Sequence, residues 1–159
     1  MLISVVIPVH NRRKLLQEAV TSVLQQSHNH LELIIVDDGS TDKGAEDVAR
    51  YFRDSRIRTL CQGQGGVAAA RNAGIAEARG EMISLLDSDD LWEPHKLARQ
   101  LSFMQSSGLQ VSQTEEVWIR NGVRLHPGGR HRKRAGWIFQ PSLRLCLVSP
   151  SCVMFSKRC

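Results

Sequence analysis

No Cys-x-x-Cys pair occurs among the 159 residues, and Cys61, Cys146, Cys152 and Cys159 follow no regular spacing. Neither a zinc site nor a disulfide framework is expected, and a reducing cytoplasm is the expected setting. No apolar run approaches the roughly 18 residues of a membrane span. The opening Met1-Leu2-Ile3-Ser4-Val5-Val6-Ile7 lacks a basic head and meets Pro8 at once, so it reads as a buried strand and not as a secretory leader. G-x-x-x-x-G-K-S/T is absent, which excludes a P-loop. Gly63, Gly65 and Gly66 do not spell G-x-G-x-x-G after a first strand, which excludes a dehydrogenase-type dinucleotide site. Aromatic residues make up only 5% of the chain and no nucleic-acid-binding motif accompanies its basic residues, so nucleic acid is not an expected partner.

What remains is the composition of an ordinary globular domain, 42% hydrophobic and 23% charged. The net charge of +5 is concentrated between Arg120 and Arg134, so it says little about the rest. Short apolar runs at Ile3–Ile7, Leu31–Val36, Ile57–Cys61 and Glu81–Leu86 alternate with helical spacing. The helical stretches are carried by Leu15 to Leu24, Ala45 to Phe52, an Ala-rich segment to about Arg79, and Leu97 to Met104. Asn11 is placed to cap the first helix, Ser40 or Thr41 the second, and Gly80 to end the third; Pro94 sits where the fourth would begin. Such strand–helix repeats predict an α/β fold, a Rossmann-like, mostly parallel, doubly wound sheet with helices on both faces. Residues 1–114 form the expected α/β domain; in 115–159 the periodicity fades into loops marked by Gly122, Pro127, Gly128 and Gly129. A short helix over Pro141–Leu147 and a strand over Ser151–Phe155 are expected there.

Ligands of doubly wound sheets bind beyond the carboxyl ends of the strands. Those ends carry Asn11, Asp37 with Asp38, and Asp87-Ser88-Asp89. Two carboxylates one residue apart can share a hard divalent cation whose other ligands are phosphate oxygens and water. Taken alone, the triplet reads more simply as a strand-end turn whose acids cap the next helix. Asp-x-Asp phosphatases of the haloacid dehalogenase type continue with Gly-Thr, whereas Asp90-Leu91 follows here. Asp37, at a strand tip beside glycine, can reach a base or ribose, or can serve an Asx turn. Arg71, among small residues on a helix, can neutralise phosphate or simply face water.

Four segments occur in order: Ser4-Val5-Val6-Ile7-Pro8-Val9-His10-Asn11, Val36-Asp37-Asp38-Gly39-Ser40-Thr41-Asp42, Ala70-Arg71-Asn72-Ala73-Gly74 and Leu85-Leu86-Asp87-Ser88-Asp89-Asp90. This series resembles glycosyltransferase family two, inverting enzymes of the GT-A fold, from residue 3 to about residue 101. The resemblance implies a nucleotide-diphosphate sugar donor, UDP-linked, and Mn²⁺ or Mg²⁺. Pro8 and Val9 would rim the nucleotide pocket with Asn11 nearby, and Asp37 would meet the uracil or ribose. Arg71 would lie near the pocket, Asp87 would hold the ribose or sugar side next to Ser88, and Asp89 with Asp87 would bind the metal. A saccharide, lipid-linked or other hydroxyl acceptor would attack the anomeric carbon from the opposite face. A nucleotidyltransferase would need G-x-G-S/T-R after the first strand, where Pro8-Val9-His10-Asn11-Arg12-Arg13 stands.

The family's general base belongs to a Glu-Asp motif well downstream of the triplet, and none follows the last apolar run. The chain is therefore expected to be shortened at its C-terminal side. Its alternative reading is a non-catalytic fragment that binds the nucleotide sugar. Glu115-Glu116 is the one acidic pair downstream of Asp87–Asp90 and the remaining candidate base. The basic segment 120–134, with Arg120, Arg124, Arg130, Arg132, Lys133, Arg134, His126 and His131, reads as a solvated loop. A peripheral contact with the cytoplasmic face of a membrane, or with an anionic acceptor, is its functional alternative. Trp92, Trp118 and Trp137 can stack on a sugar ring or pack internally.

Overall fold

The computed structural model describes residues 1–125, 133–142, 144 and 147–158. The elements run β1 (Ile3–Val9), α1 (Arg13–Leu24), β2 (Leu31–Asp38), α2 (Gly44–Phe52), β3 (Ile57–Gln62) and α3 (Val67–Glu77). They continue with β4 (Met82–Leu85), α4 (Lys96–Ser107), β5 (Val111–Gln113), β6 (Trp118–Arg120) and β7 (Val123–Leu125). A four-residue helix α5 (Phe139–Ser142), a 3₁₀ turn (Pro150–Cys152) and β8 (Val153–Ser156) complete the order. Six strands form one sheet in the order β3-β2-β1-β4-β8-β5. β1 pairs in parallel with both β2 and β4, and β2 with β3, while β8 is antiparallel to its neighbours β4 and β5. The expected mostly parallel, doubly wound sheet is thus present.

β1 and β2 are buried along their whole length, which is why they read as apolar runs broken before the carboxyl ends only by Ser4 and Glu32. Alternation sends their residues to opposite faces. Ile3, Val5, Ile7 and Val9, with Leu33 and Ile35, pack under Leu16, Val20 and Val23 of α1, Val48 of α2, and Leu97, Leu101 and Met104 of α4. Val6, Ile34 and Val36 face the other way, against Ala70 of α3. The chain leaves β1 outward to β2 and β3, then returns with β4 to the far side of β1. This reversal opens a crevice at the carboxyl ends of β1 and β4. The boundary expected after Thr114 falls inside the sheet, since β8 lies between β4 and β5.

Several local expectations are corrected. Asn11 does not cap α1; it takes a left-handed conformation (φ 52°), and Arg12 precedes the helix without a side-chain cap. Neither Ser40 nor Thr41 caps α2, where the Asp42 carboxylate accepts from the Gly44 N–H at 2.9 Å. Asp37 and Asp38 do stand at the carboxyl end of β2, where they are expected. α3 ends at Glu77, and Gly80 is small for another reason: a Cβ there would meet the Ser4 nitrogen at 2.7 Å. β6 and β7 form a hairpin where loops are expected, turned by Asn121-Gly122, both at positive φ (51° and 75°). Asn-Gly is the pair that a two-residue type I′ turn favours. The short helix expected over Pro141–Leu147 is α5, which starts at Phe139; positions 143, 145 and 146 lie outside the described residues. No helix among the described residues is long and apolar enough to cross a membrane.

One buried charge ties this sheet to α3. The Glu32 carboxylate accepts from the Ser4 hydroxyl and the Arg79 N–H, both at 2.6 Å, and from Arg58 at 3.2 Å. Burial pushes its pKa up, but those three donors outweigh burial and hold it below the ordinary value. Because the folded-state pKa is the lower one, the stabilisation is complete above the unfolded-state pKa and lost as pH falls through the folded one. Glu32→Gln turns an amide N–H toward Arg58 and is expected to cost about 1–3 kcal/mol at neutral pH. Urea titrations of both proteins should show that difference shrinking in acid; a difference that persists unchanged at low pH would contradict the assignment.

Candidate functional site

A cleft of about 460 Å³ opens at the carboxyl ends of β1, β2 and β4. β1 and the turn after it supply Pro8, Val9, His10 and Arg12; β2 supplies Asp38; α3 supplies Val67 and Arg71. Asp87, Ser88 and Asp89, just beyond β4, close the opposite wall. The structure therefore brings together six of the eight residues expected at the donor site, Pro8, Val9, Arg71, Asp87, Ser88 and Asp89, and adds Asp38.

Each carboxylate of the triplet meets an arginine. Arg71 reaches Asp87 at 2.5 Å, with both side chains mostly covered (20% and 30% exposed). Arg12 reaches Asp89 at 2.5 Å, with both half exposed (50% and 47%). The Nε of Arg71 is buried without a hydrogen-bond partner among the described residues, an unsatisfied donor in the wall of the cleft. Ser88 is buried between the two acids. Arg12 belongs to none of the sequence motifs; its one signal is its place directly after the Pro8-Val9-His10-Asn11 segment.

Asp37 was the acid expected to face a ligand, but the carboxylate on the cleft wall is that of Asp38. Successive side chains of a strand point to opposite faces, so only one of two adjacent acids can do so. Asp37 is buried and accepts from the Ser40 N–H at 2.7 Å. Asp38 accepts from the N–H groups of Gly65 and Gly66, each at 2.8 Å, and from the Gln62 amide at 2.7 Å. The Gly65 N–H and the Gln62 amide hold its carboxyl below the usual range against the opposing effect of desolvation. The glycine-rich turn is thus folded onto Asp38. Asn11 lies beside the cleft, not in its lining, and braces the loop after β2: its Oδ1 accepts from the Thr41 N–H at 2.8 Å. His10 donates Nδ1–H to the Asp38 carbonyl at 2.9 Å, the only tautomer that suits a carbonyl partner, leaving Nε2 to accept from Asn11.

Glu115 and Glu116 do not line the cleft. Glu115 is exposed. Glu116 accepts from Trp118 Nε1 at 3.1 Å and Cys152 Sγ at 3.3 Å, and pairs with Lys133 at 3.3 Å. Partial burial pushes the Glu116 carboxyl up, yet these contacts outweigh it and hold the pKa below its usual value. A carboxylate so engaged is a poor proton acceptor. Trp92 is packed inside, while Trp118 and Trp137 are exposed. Of the basic segment, Arg120 and Arg124 stand exposed on the hairpin; positions 126–132, with His126, Arg130, His131 and Arg132, lie outside the described residues.

Cleft charge decides what can enter. Three carboxylates, Asp38, Asp87 and Asp89, face two guanidiniums, Arg12 and Arg71, so the lining is net negative. A cation entering with a phosphate-bearing ligand would offset the like charge of the lining. Among the described residues, no three His, Cys, Asp or Glu side chains stand close enough to hold a metal by themselves. Two hard carboxylate donors on a partly open wall fit Mn²⁺ or Mg²⁺, ions that draw their remaining ligands from phosphate and water.

A family model described as "Glycosyl transferase family 2" matches residues 4–154. An uncharacterized glycosyltransferase of Rickettsia conorii is 38% identical over 152 residues, 96% of this chain and 25% of that protein. The chain spans between about a fifth and just under half of the length of the curated relatives it matches. Among solved structures, TarS 1-349 of S. aureus in complex with UDP superposes with a TM-score of 0.77 at 23% identity, over 99% of this chain and 47% of that one. A mannosyltransferase of Pyrobaculum calidifontis in complex with GDP-Man and Mn²⁺ gives 0.65 at 24% identity, over 72% and 35%.

Proposed function

This chain belongs to glycosyltransferase family 2 and has its GT-A fold, and we propose that its cleft binds the nucleotide-diphosphate sugar, UDP-linked, of a metal-dependent inverting transfer. The observation that carries this reading is the pair of carboxylates, Asp87 and Asp89, in the cleft wall, hard donors suited to a divalent cation that takes its other ligands from a diphosphate. The complexes of the structural relatives, with UDP in one and GDP-Man and Mn²⁺ in the other, support it.

Pro8 and Val9 rim the nucleotide side, with Asn11 holding the adjoining loop. The base-side or ribose-side role expected of Asp37 passes to Asp38, which the β3–α3 turn holds ionised. Asp87, kept in place by Arg71, faces the ribose or sugar, with Ser88 packed behind. Asp89 and Asp87 would hold Mn²⁺ or Mg²⁺, which when bound supplies positive charge for the departing nucleoside diphosphate. Arg12 and Arg71 contribute fixed positive charge on the same side. Residues 1–114 serve the donor and 115–159 begin the acceptor side, a division of role within one sheet. The acceptor is a saccharide, lipid-linked or other hydroxyl compound, and the setting is cytoplasmic, with Arg120 and Arg124 available to anionic headgroups.

Calorimetric titration with UDP is expected to give binding that needs Mn²⁺. Asp89→Ala is expected to weaken it at least tenfold, equivalent to about 1.4 kcal/mol. Equal binding with and without metal would remove the role given to Asp89. A donor-binding segment without transfer of its own is the second reading, favoured by the place of Glu115 and Glu116 outside the cleft. Turnover of UDP-sugars by this chain against a panel of acceptors would decide against it.

A further inference from the structure

The turn that carries the triplet is held from 64 residues away by one hydroxyl. Ser151 Oγ accepts from the Asp87 N–H at 3.0 Å and donates to the Asp90 carboxylate at 2.5 Å. Asp90 N–H in turn donates to the Asp87 carbonyl at 3.0 Å, closing the turn, so Ser151 grips its first and last residues together. Ser151 is itself fixed: it is buried, and its carbonyl accepts from Trp92 Nε1 at 2.7 Å.

We propose that Ser151, with Asp90, is a positioning residue for the donor and metal site, supplied by the later part of the chain. The inference rests on the donor reading above. Asp87, Asp89 and Asp90 are like charges within four residues, and their repulsion favours a splayed turn. Ser151 opposes this by pairing its hydroxyl with Asp90 and by anchoring the Asp87 backbone. The two outward carboxylates then hold a fixed separation before a cation arrives, so less ordering is needed on binding. Ser151 touches neither donor nor metal in this role, which is why the sequence shows it only as the start of a strand.

The test uses the whole chain. Ser151→Ala is expected to weaken Mn²⁺-dependent UDP binding about tenfold with the melting temperature changed by only a few degrees. Ser151→Thr, which keeps the hydroxyl, is expected to restore most of it. Ser151→Ala combined with Asp90→Ala should cost little more than either alone, as expected of partners in one contact. Hydrogen exchange supplies the independent readout, with the Asp87 amide losing protection in Ser151→Ala. Unchanged binding in Ser151→Ala, or a loss that threonine does not restore, overturns the proposal. If the parent chain shows no metal-dependent UDP binding, the donor reading fails and the Asp87 amide decides the positioning claim. Lost protection then supports it and unchanged protection overturns it.

Discussion

Gly74→Ala is expected to destabilise the protein by about 2–3 kcal/mol, in the range of overpacked cores. An exposed helical glycine gains roughly 0.5–1 kcal/mol from the same change, so the sign is diagnostic. Gly74 lies inside α3 where that helix crosses the sheet. A Cβ there would stand 2.3 Å from Val6 Cγ1 and 3.0 Å from Val36 Cγ2. Both valines are fully buried, on the central strands β1 and β2. Their branched side chains have little rotamer freedom, so the helix must move instead. α3 also carries Arg71, one turn earlier, so the shift should loosen the Arg71–Asp87 pair and weaken the donor binding proposed for the cleft. Urea unfolding of Gly74→Ala, with Gly63→Ala as control, checks this. Gly63 has nothing within 4 Å of its missing Cβ and should be close to neutral. A variant at Gly74 as stable as the parent would show that the close approach is not fixed.

The elements that read most clearly in the sequence are those whose signal is local. β1 and β2 are covered on both faces, so apart from the Ser4–Glu32 pair their residues are apolar until the carboxyl ends, and the run marks the strand directly. Caps read poorly because a side chain near a helix start has other partners once the sheet forms. Asn11 turns away from α1 to brace the loop after β2, and Ser40 accepts from the Asn11 N–H at 3.0 Å instead of capping α2. The choice between Asp37 and Asp38 depends on the phase of β2 relative to α3, which no local pattern records. Arg12 and Ser151 are harder still. Each acts on Asp89 or Asp87 across more than 60 residues, and contacts of that span exist only after the chain reverses direction at β4. Glu115-Glu116 shows the converse: an acidic pair conspicuous in sequence, of which Trp118 and Cys152 engage Glu116 while Glu115 faces solvent.

A second expected result concerns a buried charge packed against β4. Lys96, at the start of α4, is buried, and its Nζ donates to Ser84 Oγ at 2.7 Å and lies 3.9 Å from the Trp92 ring centroid. Ser84 passes its own hydroxyl hydrogen to the Val153 carbonyl at 2.8 Å. Among the described residues no carboxylate pairs with this ammonium. Burial therefore drives its pKa down to about 7, with the Cys152 side chain opposing only weakly. The amine is charged in the unfolded chain up to about pH 10.5, so between pH 7 and 10.5 the unfolded state binds more protons. Stability contributed at this position rises with pH across that window and is flat below it. Lys96→Met keeps the length of the side chain and removes the buried charge. It is expected to stabilise the protein by about 3 kcal/mol at pH 7, with the gain fading toward pH 10. Urea titrations of parent and variant at several pH values between 6 and 10 give that difference directly. A gain independent of pH would place the effect in packing, and a loss would mean that the Lys96–Ser84–Val153 chain stabilises the joint between β4 and β8 more than the buried charge destabilises it.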